Sequence, residues 1–171
     1  MRFILSLVLI FTLWGSAQAT VATSLAPSSV AREADVIAVG RVVNLETVVQ
    51  NGDPWTIATV VSEQSVKGKP SSQIRIRIPG GQHMVNGRTL ITAVEGAPVL
   101  NINQKAVFFV NSNEDTDVYD FTGLNHGYWR VENRSGQEVA IPSANEAAPA
   151  VPLDRFMNDI REAMKEAKEH H

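Results

Sequence analysis

Ile74, Ile76 and Ile78 alternate with Arg75 and Arg77, the clearest two-residue period in the chain. That alternation predicts a strand with one face in a core and one in water. Residues 35–49 form a longer apolar run. Ile37, Val39, Val43 and Leu45 share one parity and Val36, Ala38 and Val42 the other, so most of this strand is expected to be covered on both faces. Gly40 in its middle predicts a bulge or a tight bend. A turn at 50–54 leads to a strand from Trp55 to Val66, and 67–72 turns the chain again. Asn86-Gly87 lies between Met84-Val85 and Leu90-Ile91. This pair tolerates the positive φ of a type I′ turn and predicts a two-residue hairpin. Further strands are expected at 105–110, 118–124, 128–132 and 138–141.

Helical spacing occurs twice. Residues 29–34 can make a turn or two of helix capped by Ser28 or Ser29. Over 153–169, Leu153, Phe156, Met157, Ile160, Ala163 and Met164 fall on one face. Asp154 near the start and Lys165 and Lys168 near the end suit the helix dipole. Small residues and prolines over 142–152 read as a linker. Many short strands and one terminal helix predict a mainly β fold. The expected form is a small β-barrel or sandwich, with a short N-terminal helical turn and a C-terminal amphipathic helix packed on it. The barrel is assigned to 20–141, the linker to 142–152 and the helix to 153–171.

Residues 1–19 follow neither period. Arg2, an apolar stretch from Phe3 to Trp14, and Ala17-Gln18-Ala19 read as a secretory signal peptide cleaved after Ala19. The stretch is shorter than the roughly 20 residues of a membrane span. A periplasmic or secreted location is therefore expected, with no membrane association after cleavage. The composition fits one globular domain: 171 residues, 44% apolar and 19% charged. Without cysteine the chain has no thiol nucleophile, no disulfide and no lipid attachment through a cysteine. Its 15 basic and 18 acidic residues give a net charge of −3, which offers no general attraction to a phosphate backbone. Nucleic acid is not expected as a partner.

The run 34–43 (ADVIAVGRVV), the strand ending Val66-Lys67-Gly68 and the alternating 74–78 together resemble the opening of a netrin-like OB barrel. That group includes the tissue inhibitors of metalloproteinases. Pro79-Gly80-Gly81, Glu95-Gly96-Ala97-Pro98, Val107-Phe108-Phe109, Gly123-Leu124 and Gly127-Tyr128-Trp129-Arg130-Val131 resemble secreted bacterial proteins with the same opening. The resemblance covers roughly 30–132 and implies the barrel. It does not carry over the animal inhibitors' zinc-binding amino-terminal cysteine, because this chain has none.

The chain has no H-E-x-x-H helix, G-x-S-x-G elbow, Walker loop or G-x-G-x-x-G turn, so neither enzymatic activity nor a cofactor is expected. His83 and His126 are the internal imidazoles, His170 and His171 the terminal ones. A metal at the internal pair would need a carboxylate and convergent loops; otherwise they are ordinary hydrogen-bonded or exposed side chains. Residues 114–120 hold Glu114, Asp115, Asp117 and Asp120, oxygen ligands of the kind calcium takes, or else a solvated hairpin tip. Arg75 and Arg77, with Lys67 and Lys69 at the preceding turn, form a basic stripe for an anionic sugar, a carboxylate or an acidic partner, or a solvated face. Trp55, Tyr128 and Trp129 could anchor a partner or stack on sugars, or could pack against the C-terminal helix. The expected function is a non-enzymatic secreted binding module. It would engage an exported protein such as a protease through rim loops and the Arg75/Arg77 face. The alternative is a carbohydrate- or cell-wall-binding domain using Trp55, Tyr128 and Trp129. A hydrolase built on His126 is a remote third.

Overall fold

The structure is a computed structural model describing residues 25–113 and 117–169, and the leader assigned to 1–19 lies outside them. The elements in order are α1 (Pro27–Glu33), β1 (Val36–Gln50), β2 (Asp53–Lys67), β3 (Gln73–Pro79), β4 (Gly81–Val85), β5 (Arg88–Thr92), β6 (Lys105–Ser112) and β7 (Tyr119–Phe121). A 3₁₀ turn (Leu124–Gly127), β8 (Tyr128–Arg134), β9 (Gln137–Pro142), β10 (Val151–Pro152) and α2 (Leu153–Glu169) complete the chain. The protein is mainly β.

Strands β1-β2-β3-β7-β6 close on themselves, because β6 returns to pair with β1. All pairings round this ring are antiparallel except β3 with β7. Five strands enclose a space that side chains can fill, as a small barrel requires. The period-2 residues of each strand fill it: Ala38 and Val42, Ala58 and Val60, Ile74, Ile76 and Ile78, Ala106, Phe108 and Val110, and Phe121. The isoleucines of the alternating segment thus face the barrel interior, as their spacing requires.

A second core lies outside the ring. Ile37 and Val39 of β1 and Val107 and Phe109 of β6 point away from the barrel. They are covered by Val30 and Ala31 of α1 and by Leu153, Phe156, Met157 and Ile160 of α2. Both faces of β1 are covered only where β6 flanks it, over Val36–Arg41. Beyond that point only β2 remains beside β1, and Val43, Val48 and Val49 are exposed. The expectation of two-sided burial along most of the strand is corrected accordingly. The pairing of β1 with β2 shifts register between Val39 and Gly40. A Cβ at Gly40 would lie 2.6 Å from the Val61 carbonyl oxygen, so the bulge depends on glycine.

The far edge of β6 is shared. Lys105–Phe108 pair with β8, and Val110–Ser112 pair with β7. Between them the Phe109 carbonyl accepts the Thr122 N–H at 3.0 Å, and the chain crosses from one layer to the other. Gly123 and Leu124 adopt φ of 66° and 54° there, so the strand expected over 118–124 is confined to Tyr119–Phe121. A Cβ on Gly127 would sit 2.5 Å from the Thr122 oxygen and 2.8 Å from that of Phe109. Close backbone approach explains the glycine. Two smaller corrections follow at the helices. Helix α1 begins at Pro27 with Ala26 as its N-cap, not at a serine cap. Part of the expected linker is strand: Val151 and Pro152 pair with Ala140 and Val139 of β9 and lead straight into α2. No helix among the described residues is long and apolar enough to cross a membrane.

Candidate functional site

The register of the ring decides what the basic stripe can do. Parallel pairing sets Arg77 of β3 beside Asp120 of β7. Its Nε donates to Asp120 Oδ1 at 2.9 Å and its Nη2 to Oδ2 at 3.0 Å, a bidentate pair. Asn113 Nδ2 donates to the same Oδ2 at 2.9 Å. The guanidinium also lies 4.5 Å from the centre of the Trp55 ring. Beside this stack, Ile57 is opposite both Arg77 and Glu46 and is only 4% exposed, although it points out of the barrel. Arg75 reaches Glu46 Oε1 at 3.4 Å between two well-exposed side chains. Both arginines of the stripe therefore have carboxylate partners within the fold.

The two lysines are elsewhere. Lys67 Nζ donates to the carbonyls of Ala31 and Arg32, at 3.1 and 2.9 Å, and closes the C-terminal end of α1. Lys69 is exposed at the turn before β3. The four cations do not converge on one anion site.

The aromatic residues also separate. Successive residues of a strand face opposite sides. Tyr128 turns into the barrel, fully buried, with Phe108 and Phe121 at ring distances of 5.8 and 6.0 Å. Its hydroxyl has no hydrogen-bond partner among the described residues, and burial pushes the phenol well above its ordinary pKa. Tyr128 is thus a core residue and not a surface anchor. Trp129 turns the other way and stacks on Phe156 of α2 at 4.3 Å. Packing against the C-terminal helix is therefore found for Trp129 and not for Tyr128. Trp55 is half-buried with Arg77 over its ring. The three do not form a common platform.

His83 lies on β4, and His126 lies in the 3₁₀ turn, beside a recess of about 110 Å³ that it shares with Pro27, Trp129 and Pro142. Among the described residues no three His, Asp or Glu side chains are grouped as metal ligands. Residues 114–116 of the acidic segment lie outside the described residues. Both Asp120 carboxylate oxygens are engaged by Arg77 and Asn113.

Sequence reasoning passed over another surface. The hairpin turn at Asn86-Gly87 is present, with φ of 50° and 73°. But β4 and β5 form a two-stranded sheet of their own outside the ring. Their register puts Gln82 opposite Ile91 and Met84 opposite Thr89, so Met84 and Ile91 share one face while Val85 and Leu90 lie on the other. All four are exposed, Met84 at 69% and Ile91 at 71%. In the following loop Val94, Val99 and Ile102 are exposed as well, Val99 at 78%. A groove of about 480 Å³ runs between the hairpin base and the barrel mouth, lined by Leu45, Ile78, Ile91, Val94, Val99 and Leu100. One clue was available in advance: Met84, Val85, Leu90 and Ile91 occupy both parities of a short hairpin, a pattern that a one-sided strand does not have.

No protein-family model and no curated protein matches the chain. The geometry of the chain itself has to carry the functional reading.

Proposed function

We propose that this chain is a non-enzymatic exported binding module that grips another exported protein through the β4–β5 hairpin and the adjoining loop. The observation that carries this reading is the exposure of Met84, Val85, Leu90, Ile91 and Val99 around one end of the barrel. Scattered apolar residues are ordinary on a surface, whereas several gathered on both faces of one hairpin beside a groove are the mark of a contact with another protein. The netrin-like resemblance supports the same use of a barrel, with rim loops making the contact, and makes a protease the first class of partner to look for. The leader-like residues 1–19 support an exported location, periplasmic or secreted.

The Arg75/Arg77 face is a weaker contact surface than its sequence suggests, because Glu46 and Asp120 already neutralise it. Carbohydrate binding loses two of its three aromatic residues to the cores. Affinity capture from the exported fraction of the producing cell tests the proposal. The native protein is expected to hold a stoichiometric protein partner, and Met84→Ser with Ile91→Ser to lose it. Equal capture by that double variant sinks the hairpin as the contact, and recovery of wall polysaccharide instead of protein moves the reading to a glycan ligand.

A further inference from the structure

A second concave surface lies where the C-terminal half of α2 passes the end of β2 and the end of α1. The cleft measures about 580 Å³, within the roughly 300–1,000 Å³ range of small-molecule sites. Val66 and Met164 form its apolar floor, and both pack against the second core. Arg32, Lys67, Arg161 and Lys165 surround that floor, and among the described residues no acidic side chain lines it.

Arg41, Arg75, Arg77, Lys105, Arg130 and Arg134 are each ion-paired with a carboxylate. None of the cleft cations is so paired among the described residues. Lys69, Arg88 and Arg155 also lack a carboxylate partner among the described residues, but here four such cations line one cleft. Arg32 donates to the Ser29 hydroxyl, Lys67 to two backbone carbonyls and Arg161 to the Asn158 side-chain oxygen. Neutral acceptors orient these groups without cancelling their charge. In a chain with a net charge of −3, four uncompensated cations around an apolar floor match a ligand with a single negative head and an apolar body.

We propose that this cleft binds a single-chain alkyl carboxylate. The carboxylate takes the Arg161 and Lys165 side with Lys67 and Arg32 opposite, and the chain lies over Val66 and Met164. This inference is independent of the hairpin reading, since the two surfaces share no residue.

The test is calorimetric titration of the native protein with dodecanoate below its micelle concentration, set against dodecanol and dodecyltrimethylammonium. Saturable one-to-one binding of dodecanoate is expected, with both other amphiphiles weaker by at least about tenfold. Arg161→Gln with Lys165→Gln, on the solvent side of α2, is expected to weaken dodecanoate by at least about tenfold while leaving the circular dichroism and melting curve unchanged. Lys165→Gln alone, at an exposed position, serves if the pair disturbs folding. Met84→Ser with Ile91→Ser is expected to leave the affinity as it was. No saturable binding overturns the proposal. So does binding that dodecanol matches, that the glutamine variants do not change, or that disappears in the hairpin variant.

Discussion

Tyr128 and Lys105 respond to alkaline pH in the same direction for different reasons. Burial raises the Tyr128 phenol, and the charge of Arg130 offsets only part of that rise. At Lys105 partial burial works against the ammonium, but hydrogen bonds and ion pairs with Glu138 and Glu63 outweigh it and the pKa still rises. For both groups the folded-state pKa lies above the unfolded one. Their contribution is complete below about pH 10, and it is lost as pH rises further because the unfolded chain gives up its protons first. Urea unfolding is therefore expected to show level stability between about pH 8 and pH 9.5 and a decline above about pH 10, by up to about 1.4 kcal/mol per pH unit for each group. Tyr128→Phe removes a hydroxyl that has no partner among the described residues, so its cost at neutral pH is expected within about 1 kcal/mol of zero, with a shallower alkaline decline. An unchanged decline in this variant would show that the phenol is not the group responsible.

Arg77 was legible as a cation on a strand face, but its partner was not. Asp120 is 43 residues away and reaches it through the one parallel pairing in the ring, which no local pattern announces. The pair is half-exposed, so a double-mutant cycle with Arg77→Ala and Asp120→Ala is expected to give a coupling of about 1 kcal/mol, with a shift in Trp55 emission in the arginine variant. Zero coupling would return Arg77 to the pool of free surface charges. Charge reversal at Arg77 would set a carboxylate against Asp120, so it reports on this pair before it reports on any partner.

Among the elements, α2 was the most legible and the connection from β7 to β8 the least. The apolar stripe of α2 was visible at its period of 3.6, and Leu153, Phe156, Met157 and Ile160 are buried in the second core. Phe156 stacks on Trp129 and meets Phe109 edge-on at 6.3 Å. Phe156→Ala is expected to cost about 3–5 kcal/mol, read from urea unfolding followed by far-UV circular dichroism. A cost under about 1 kcal/mol would mean that α2 rests loosely on the barrel. By contrast, the left-handed turn at Gly123-Leu124 is invisible in a run of strand-forming residues. It arises because β6 must share one edge between β7 and β8. A strand's alternation shows which residues share a side but not which of two cores that side meets, and Tyr128 and Trp129 are separated by that ambiguity.

At the scale of the molecule, the ring and the two helices put the large apolar side chains of β1, β6, β8 and α2 into two cores that share the wall formed by β1 and β6. Most of that architecture could be read from strand spacing and the terminal helix. The hairpin could be read too, as a turn, but its position could not: forming a sheet separate from the ring is a property of the packed body, not of residues 81–92. A two-stranded unit is marginal alone, and this one exposes Met84, Val85, Leu90 and Ile91. The binding reading therefore depends on what touches those side chains in the cell. A photo-reactive residue placed at Ile91, and separately at Arg75, irradiated in the producing cell and resolved by mass spectrometry, asks this directly. A discrete protein adduct from position 91 and none from position 75 is expected. Adducts from position 75 alone, or from neither position, would contradict the hairpin as the contact surface.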